Sequence, residues 1–298
     1  MSMSYEAAKA FFSEAIFHAL LPYKKRIEPA LVRAIEKFGE KNNLRDACEY
    51  ALQSGGKRFR PALVLMVADA LNVNNKEKAD VIDAALAVEF FHTASLIADD
   101  LPCMDNDDLR RGRPTVHKVY GEVVALLASF SLIASGFEHI AINSEKRKEV
   151  CQIATLHASR LNGTPGLIGG QYIDLFPPHL DREKLYEVIE RKTVCLFELS
   201  FLLGWIFAGG YLQMLPEVKN ASFHFGSAFQ ILDDLDDMEK DAQADRKANF
   251  ANLFGKSEAV KVVQEHTEKF KNSLKVLGLT SEPLDNLAQG MSILTAAF

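Results

Sequence analysis

An all-α fold, a single large antiparallel helical bundle around a central cavity, is what the 298-residue sequence predicts. Two observations carry it. Nearly every long segment repeats its apolar residues with a period near 3.6 rather than 2, the spacing that gathers them on one face of a helix. No alternating apolar–polar run is joined to another by a hairpin turn, and no low-complexity linker or internal repeat divides the chain, so residues 1–298 read as one domain.

Residues 5–38 are amphipathic, and Pro22 and Pro29 should break the helix, because an internal proline removes a donor and collides with the carbonyl four residues back. Residues 46–54 lead to a break at Gly55-Gly56. Residues 61–71 open with Pro61, which a helix tolerates in its first turn, where the amide has no partner in any case. Residues 79–100, 123–143, 146–162, 182–212 and 217–238 read as long, mutually buried helices, and 257–277 resumes after a charged link. Pro177-Pro178 marks a loop inside the domain.

Composition narrows the class. Hydrophobic residues make up 48% and charged residues 25%, an ordinary globular balance. The net charge of −6 excludes a general nucleic-acid binder, so any anionic substrate must be met by a local basic site. Cys48, Cys103, Cys151 and Cys195 lack paired metal-ligand spacing and read as reduced thiols of a cytoplasmic protein. Glu6 and Glu14 interrupt any signal pattern. The most apolar stretches, 123–137 and 194–209, are respectively too short to span a membrane and interrupted by Glu198, so both read as buried helices.

Two aspartate-rich segments carry the chemistry: Asp99-Asp100-Leu101-Pro102-Cys103-Met104-Asp105 and Asp233-Asp234-Leu235-Asp236-Asp237. Each closes an apolar, helix-patterned run, where repelling carboxylates are costly unless a cation gathers them. Oxygen-only donors suit Mg²⁺, which shares its shell with water and phosphate oxygens. In the second segment Gln230, Asp233, Asp234 and Asp237 fall within roughly 100° of one helix face, while Asp236 points away. In the first, Asp99 and Asp105 cannot share a helix face, but Pro102 should end the helix and let the chain turn Asp105 back. Taken alone, each could be a solvated acidic helix end.

Basic sites accompany them. Arg110 and Arg111 come just after the first acidic loop and fit a phosphate clamp, since a guanidinium meets phosphate through two donors. Gly55-Gly56-Lys57-Arg58-Phe59-Arg60 precedes a helix N-terminus, where backbone amides favour anions. His92, seven residues before Asp99, lies on nearly the same face as that aspartate and is either a satisfied core histidine or a ligand-facing one. Lys192-Thr193 and Lys247 are individually uninformative.

Together these residues resemble a known family. The run Glu89-Phe90-Phe91-His92-Thr93-Ala94-Ser95-Leu96-Ile97-Ala98-Asp99, continued by Asp108-Leu109-Arg110-Arg111-Gly112, is similar to the first aspartate-rich motif of trans-prenyl diphosphate synthases. The segment from Phe229-Gln230 to Asp237 is similar to the second. Gly56 to Pro61, Gly169-Gly170-Gln171 with Asp174, Lys192-Thr193 and Lys247 occur in the family's order. The first motif looks most like that of bacterial farnesyl and plant-type geranylgeranyl diphosphate synthases.

The resemblance implies the isoprenoid synthase type of helical bundle, a homodimer, and three Mg²⁺ per active site with substrate bound. It implies that Asp99, Asp100, Asp105, Asp233 and Asp237 hold the metal. It implies that Arg110, Lys192, Thr193, Gln230 and Lys247 bind an allylic diphosphate, and that Lys57, Arg60, His92 and Arg111 bind isopentenyl diphosphate. Asp99, Asp105, Asp233, Arg110, Lys192 and Lys247 would be the catalytic set. The expected product is geranylgeranyl or farnesyl diphosphate. A class I terpene cyclase and a non-catalytic regulatory subunit are the alternatives; the first has no need of a second diphosphate site, and the second tends to carry degraded aspartate motifs.

The chain departs from the family's pattern in three places. Ala98 stands where the family usually has histidine, Ser129-Phe130 replaces a Gly-Asp pair, and the loop after the second motif is short. Product length turns on one helix face: Ala98, Ala94, Phe91 and Ala87 form a single stripe on the helix ending at Asp99. In relatives a bulky aromatic at the position of Ala94 stops growth at farnesyl. Phe91, about 12 Å below Asp99, is the first large residue here, which favours geranylgeranyl diphosphate.

Overall fold

The computed structural model describes residues 5–71, 81–142, 147–177, 181–243 and 248–298. Its elements are helices α1 (Tyr5–Ile35), α2 (Asn43–Leu52), α3 (Phe59–Ala70) and α4 (Val81–Asp99), a two-stranded ribbon β1 (Leu109–Arg110) and β2 (Arg113–Pro114), then α5 (Val116–Tyr120), α6 (Glu122–Ala141), α7 (Lys148–Asn162) and α8 (Leu167–Leu175). Next, α9 (Arg182–Val188) runs through a π-helical stretch (Ile189–Val194) into α10 (Cys195–Phe207). The chain ends with α11 (Leu215–Asp236), α12 (Met238–Gln243), α13 (Phe250–Phe254), α14 (Lys256–Leu277) and α15 (Glu282–Thr295).

The architecture is all-α, as the 3.6-residue period predicts. Helix α10 sits at its centre, packed on α3, α4, α7 and α11. Every residue of α10 except Glu198 is buried, the pattern of a helix that is apolar all round. Glu198 meets Lys219 at 3.1 Å, and burial raises its carboxyl. Around this axis, α4 packs along α6, α11 along α14, and α1 along α15. Cys48, Cys151 and Cys195 are buried; burial pushes the thiol of Cys195 up to about 12.

Three sequence expectations change. Helix α1 is not broken: Pro22 and Pro29 both lie inside it. Both are exposed, so the carbonyls that lose their donors lie on the solvent side, while Tyr23, Ile27, Ala30 and Leu31 keep the other face in the core. A hairpin does exist, with Leu109 opposite Pro114 and Arg110 opposite Arg113. It is too short to show alternation, but its turn, Arg111 at φ 54 and Gly112 at φ 75, has the two positive φ angles of a tight hairpin. Finally, the apolar stretch 123–137, read as too short to span a membrane, lies within the 20-residue helix α6, which is long and apolar enough to do so. By length and composition α4 and α6 could each cross a membrane, yet 67% of the apolar window of α4 is buried inside the bundle.

Close packing at the centre depends on Gly204. A Cβ there would lie 2.5 Å from the Val64 carbonyl oxygen and 2.9 Å from the Val67 Cβ, both on α3. Backbone cannot step aside as a flexible side chain can. Gly204→Ala should therefore destabilise the fold by about 1–3 kcal/mol through overpacking, read as a lower urea midpoint at unchanged slope.

Candidate active site

Helix α4 ends at Asp99 because the Pro102 ring forbids the next turn. The chain then folds back: the Asp105 amide donates to the Asp99 carbonyl at 2.9 Å, and the Asn106 amide, at φ 54, to the Leu101 carbonyl at 3.1 Å. Asp99 and Asp105 are thereby joined through the backbone. Burial pushes the Asp99 carboxyl up to about 7, with Asp105 and Asp100 adding to the rise and Lys192 and Arg110 opposing it. Asp100 is separated from this group. It is 3% exposed and accepts from both Nε (2.9 Å) and Nη2 of Arg110, whose Nη2 also reaches Asp107 at 3.0 Å. Asp100, read from sequence as a metal ligand, holds Arg110 through its Oδ1.

The second segment is sorted the same way. Asp234 is buried and turned inward; its Oδ2 accepts from the Phe250 amide and its Oδ1 from Gln230 Nε2, both at 2.8 Å. Even so, burial raises its carboxyl to about 7. Asp236 points off the face, accepting from Lys9 at 2.6 Å and from the Tyr5 hydroxyl. Asp233 presents its carboxylate to solvent, while the protein crowded around it, together with Asp237 and Asp236, raises its pKa. Among the described residues, the Asp237 carboxylate makes only a long contact, 3.5 Å, to Lys240.

Between the two segments runs the π-helical stretch. Lys192 Nζ donates to Asp174 of α8, and Thr193 Oγ1 donates to Gln230 Oε1 at 2.7 Å. Helix α8 can come this near because Gly170 lacks a side chain: a Cβ there would stand 2.5 Å from the Lys192 amide nitrogen. The extra residue of a π turn rotates the downstream side chains relative to the upstream ones, and such turns occur often at functional sites.

A cavity of about 690 Å³ opens beside these groups, its walls including Lys57, Arg60, Glu89, His92, Arg111 and Phe229. The Arg60 guanidinium lies 4.7 Å over the Phe197 ring, and its buried Nε has no hydrogen-bond partner among the described residues. Burial lowers its pKa. Arg111 Nη1 donates to the Gly55 carbonyl, and a Cβ on Gly56, at φ 115, would come within 2.5 Å of that Nη1. Burial and the surrounding Arg60, Arg111, Arg58 and Arg110 hold His92 well below the usual imidazole range, so it is neutral at pH 7. This concave, cationic space has the right sign for a diphosphate. A cavity of about 550 Å³ on the outer side of the π stretch does not, since Glu183, Glu187, Glu190 and Glu198 line it.

Phe91 and Ala94 are both buried against α6. The Phe91 ring meets Phe137 edge-on at 5.0 Å between centroids, and a Cβ on Gly136 would lie 2.6 Å from it. The Ala94 carbonyl accepts from Ser129 Oγ at 2.9 Å. Lys247 lies outside the described residues. Among those described, no three His, Cys, Asp or Glu side chains gather closely enough to hold a metal by themselves. Sequence reasoning missed Arg58, whose buried guanidinium pairs with Glu28 and Glu89. The signal was Glu89, a lone carboxylate in an apolar helix, which demands a partner.

The sequence model of the polyprenyl synthetase family matches residues 41–290. The chain belongs to the polyprenyl synthetase family. It is 39% identical over 256 residues to geranylgeranyl pyrophosphate synthase 4 of Arabidopsis thaliana, covering 84% of this chain and 68% of that one. It is 40% identical over 224 residues to farnesyl diphosphate synthase of Bacillus subtilis, covering 72% and 73%. A solved structure of geranyltransferase from Legionella pneumophila superposes with a TM-score of 0.80 at 28% identity, over 97% of this chain and 98% of that one. In this polyprenyl synthetase the aspartate segments, the π stretch and the basic cavity adjoin one another, as the electrostatic interactions of Lys192 with Asp99 and of Arg60 with Asp233 indicate.

Proposed function

We propose that the chain is a short-chain trans-prenyl diphosphate synthase, a single domain over residues 1–298. It condenses isopentenyl diphosphate with dimethylallyl, geranyl or farnesyl diphosphate, and geranylgeranyl rather than farnesyl diphosphate is the final product. The observation that carries this reading is the cationic cavity of Lys57, Arg60, His92 and Arg111 set beside two aspartate-rich segments. A class I cyclase has no use for that second anion site, and a regulatory subunit has no use for two preserved acidic segments.

Asp99, Asp105, Asp233 and Asp237 offer oxygen donors alone, and the elevated pKa of Asp99 marks a carboxylate short of positive charge. The set fits Mg²⁺, which takes part of its shell from phosphate and water. Bound there, Mg²⁺ would neutralise charge on the departing diphosphate. Lys192, Arg110, Thr193 and Gln230 bind the allylic diphosphate, with Lys247 completing the set and Asp100 orienting Arg110. Lys57, Arg60, Arg111 and neutral His92 hold isopentenyl diphosphate by its oxygens. The allylic C–O bond breaks with its electron pair going to diphosphate. The isopentenyl double bond forms the new C–C bond, and the proton released from the adjacent carbon passes to the departed diphosphate. Walls such as Phe59, Phe197 and Phe229, their ring centroids within 5.2–6.0 Å of one another, keep water from the cation.

The test is incubation with isopentenyl diphosphate, each allylic diphosphate and Mg²⁺, then product sizing. Asp99→Asn and Asp233→Asn should each lower kcat by about 10²–10³ with the circular dichroism spectrum unchanged. Near-full activity in both would sink the assignment.

Phe91→Ala should lengthen products and Ala94→Tyr should shorten them. Unchanged chain lengths in both would remove this stripe of α4 as the ruler.

The proposal includes a cytoplasmic homodimer without a membrane span. Helix α6 supports it by presenting an apolar face to solvent, with Val123 73% and Phe130 57% exposed beside Leu126 and Leu127. Phe130→Glu should lower the mass measured by light scattering from two chains to one; a dimer that persists would locate the interface elsewhere.

A further inference from the structure

Arg58 lines the basic cavity, but its guanidinium is committed to protein partners. Its side chain is 2% exposed, and all three faces of its fork are engaged. Nε donates to Glu28 of α1 at 2.9 Å, Nη1 to Glu89 of α4 at 2.5 Å, and Nη2 to the Leu52 carbonyl at the end of α2. Two carboxylates offset its one positive charge, so it is not held in reserve for an anion. Its backbone is left-handed, at φ 54, a conformation that an L side chain adopts only when its surroundings hold it there.

The consequence reaches the cavity by two routes. Lys57 precedes Arg58 and Arg60 lies two residues beyond it, so both take their directions from the turn that Arg58 anchors. Glu89 lies one turn before His92 on α4, so the same ion pair ties that turn to the helix that carries the imidazole. Lysine could supply the charge but not three donors in a rigid fork.

We infer that Arg58 is a positioning residue: its buried fork fixes the turn bearing Lys57 and Arg60 against the helix bearing His92, so that the three converge on one diphosphate. This rests on the function proposed above and deepens it by naming what builds the isopentenyl diphosphate subsite.

Two full-length variants test it. Arg58→Lys keeps the charge and loses the fork. Arg58→Met/Glu89→Leu removes both charges together, so neither is left buried alone. Each is compared with the unaltered chain in KM for isopentenyl diphosphate, KM for the allylic substrate, kcat, and binding of inorganic pyrophosphate without metal. We expect KM for isopentenyl diphosphate to rise and pyrophosphate binding to weaken on the order of tenfold, with the allylic KM and kcat within about twofold. A purely structural role would lower the thermal midpoint and leave the two KM values unmoved or moved alike, and either outcome overturns the inference. If the double variant does not fold, Arg58→Lys decides. If the unaltered chain turns over no substrate, the proposed function fails, while the pyrophosphate arm still decides on Arg58.

Discussion

Carboxylates at the ends of apolar helices are costly unless something answers their charge, and the site is organised by which of them are answered from within the protein. Asp100 has the Arg110 fork, Asp234 the Phe250 amide and Gln230, Asp236 Lys9 and Tyr5, and Glu89 the fork of Arg58. Each such pairing converts an expensive burial into a fixed geometry. Asp99 is the contrasting case. Burial has lifted it to about 7, and its two opposing cations, Lys192 and Arg110, are themselves engaged with Asp174 and Asp100. The paired acids build the frame, and the underpaired ones face the space where ligand charge would go.

Helix packing decides where these charges can meet. Helices α4 and α11 both pack on α10, which holds the two helices that carry the aspartate segments in one bundle. Small residues set the spacing. Gly204 admits the α3 backbone to α10, Gly136 admits the Phe91 ring to α6, and Gly170 admits the π stretch to α8. The π stretch then aims adjacent residues differently, Lys192 towards Asp174 and Thr193 towards Gln230. A regular helix would separate the two by its fixed 100° step with no means of adjustment.

The long helices were legible in the sequence because burial imposes a period on residues such as those of α11 and α14, and Pro102 was legible as a stop because its ring excludes a carbonyl. The side-chain partners were not. Asp99 and Asp100 are adjacent and chemically identical, and only the fold decides that one faces the site and the other faces Arg110. The same holds within Lys57, Arg58 and Arg60, where sequence showed a basic patch and tertiary contacts divided it into an anchor and its neighbours. Pro22 and Pro29 misled for a related reason. A proline's cost depends on whether the carbonyl it orphans can reach water, which is a property of the packed helix. Helix α8 and helix α15 were missed because the glycine pair in the first and the short amphipathic pattern of the second weaken the periodic signal.

Beyond the second aspartate segment, the described residues are tied together by buried amides. Helix α12 starts two residues past Asp236. Asn249, fully buried, donates from Nδ2 to the Asp234 carbonyl and to Asp241 Oδ2, each at 2.9 Å, and its Oδ1 accepts from the Asn252 amide at 2.9 Å. Asn252 in turn reaches the Met238 carbonyl at 3.0 Å. Both ends of the connection are thus tied to the end of α11, next to Asp233 and Asp237. Asn249, Arg58 and Asp100 share one trait: each spends its polar atoms on protein partners, the first on the Asp234 carbonyl and Asp241, the second on Glu28 and Glu89, the third on Arg110.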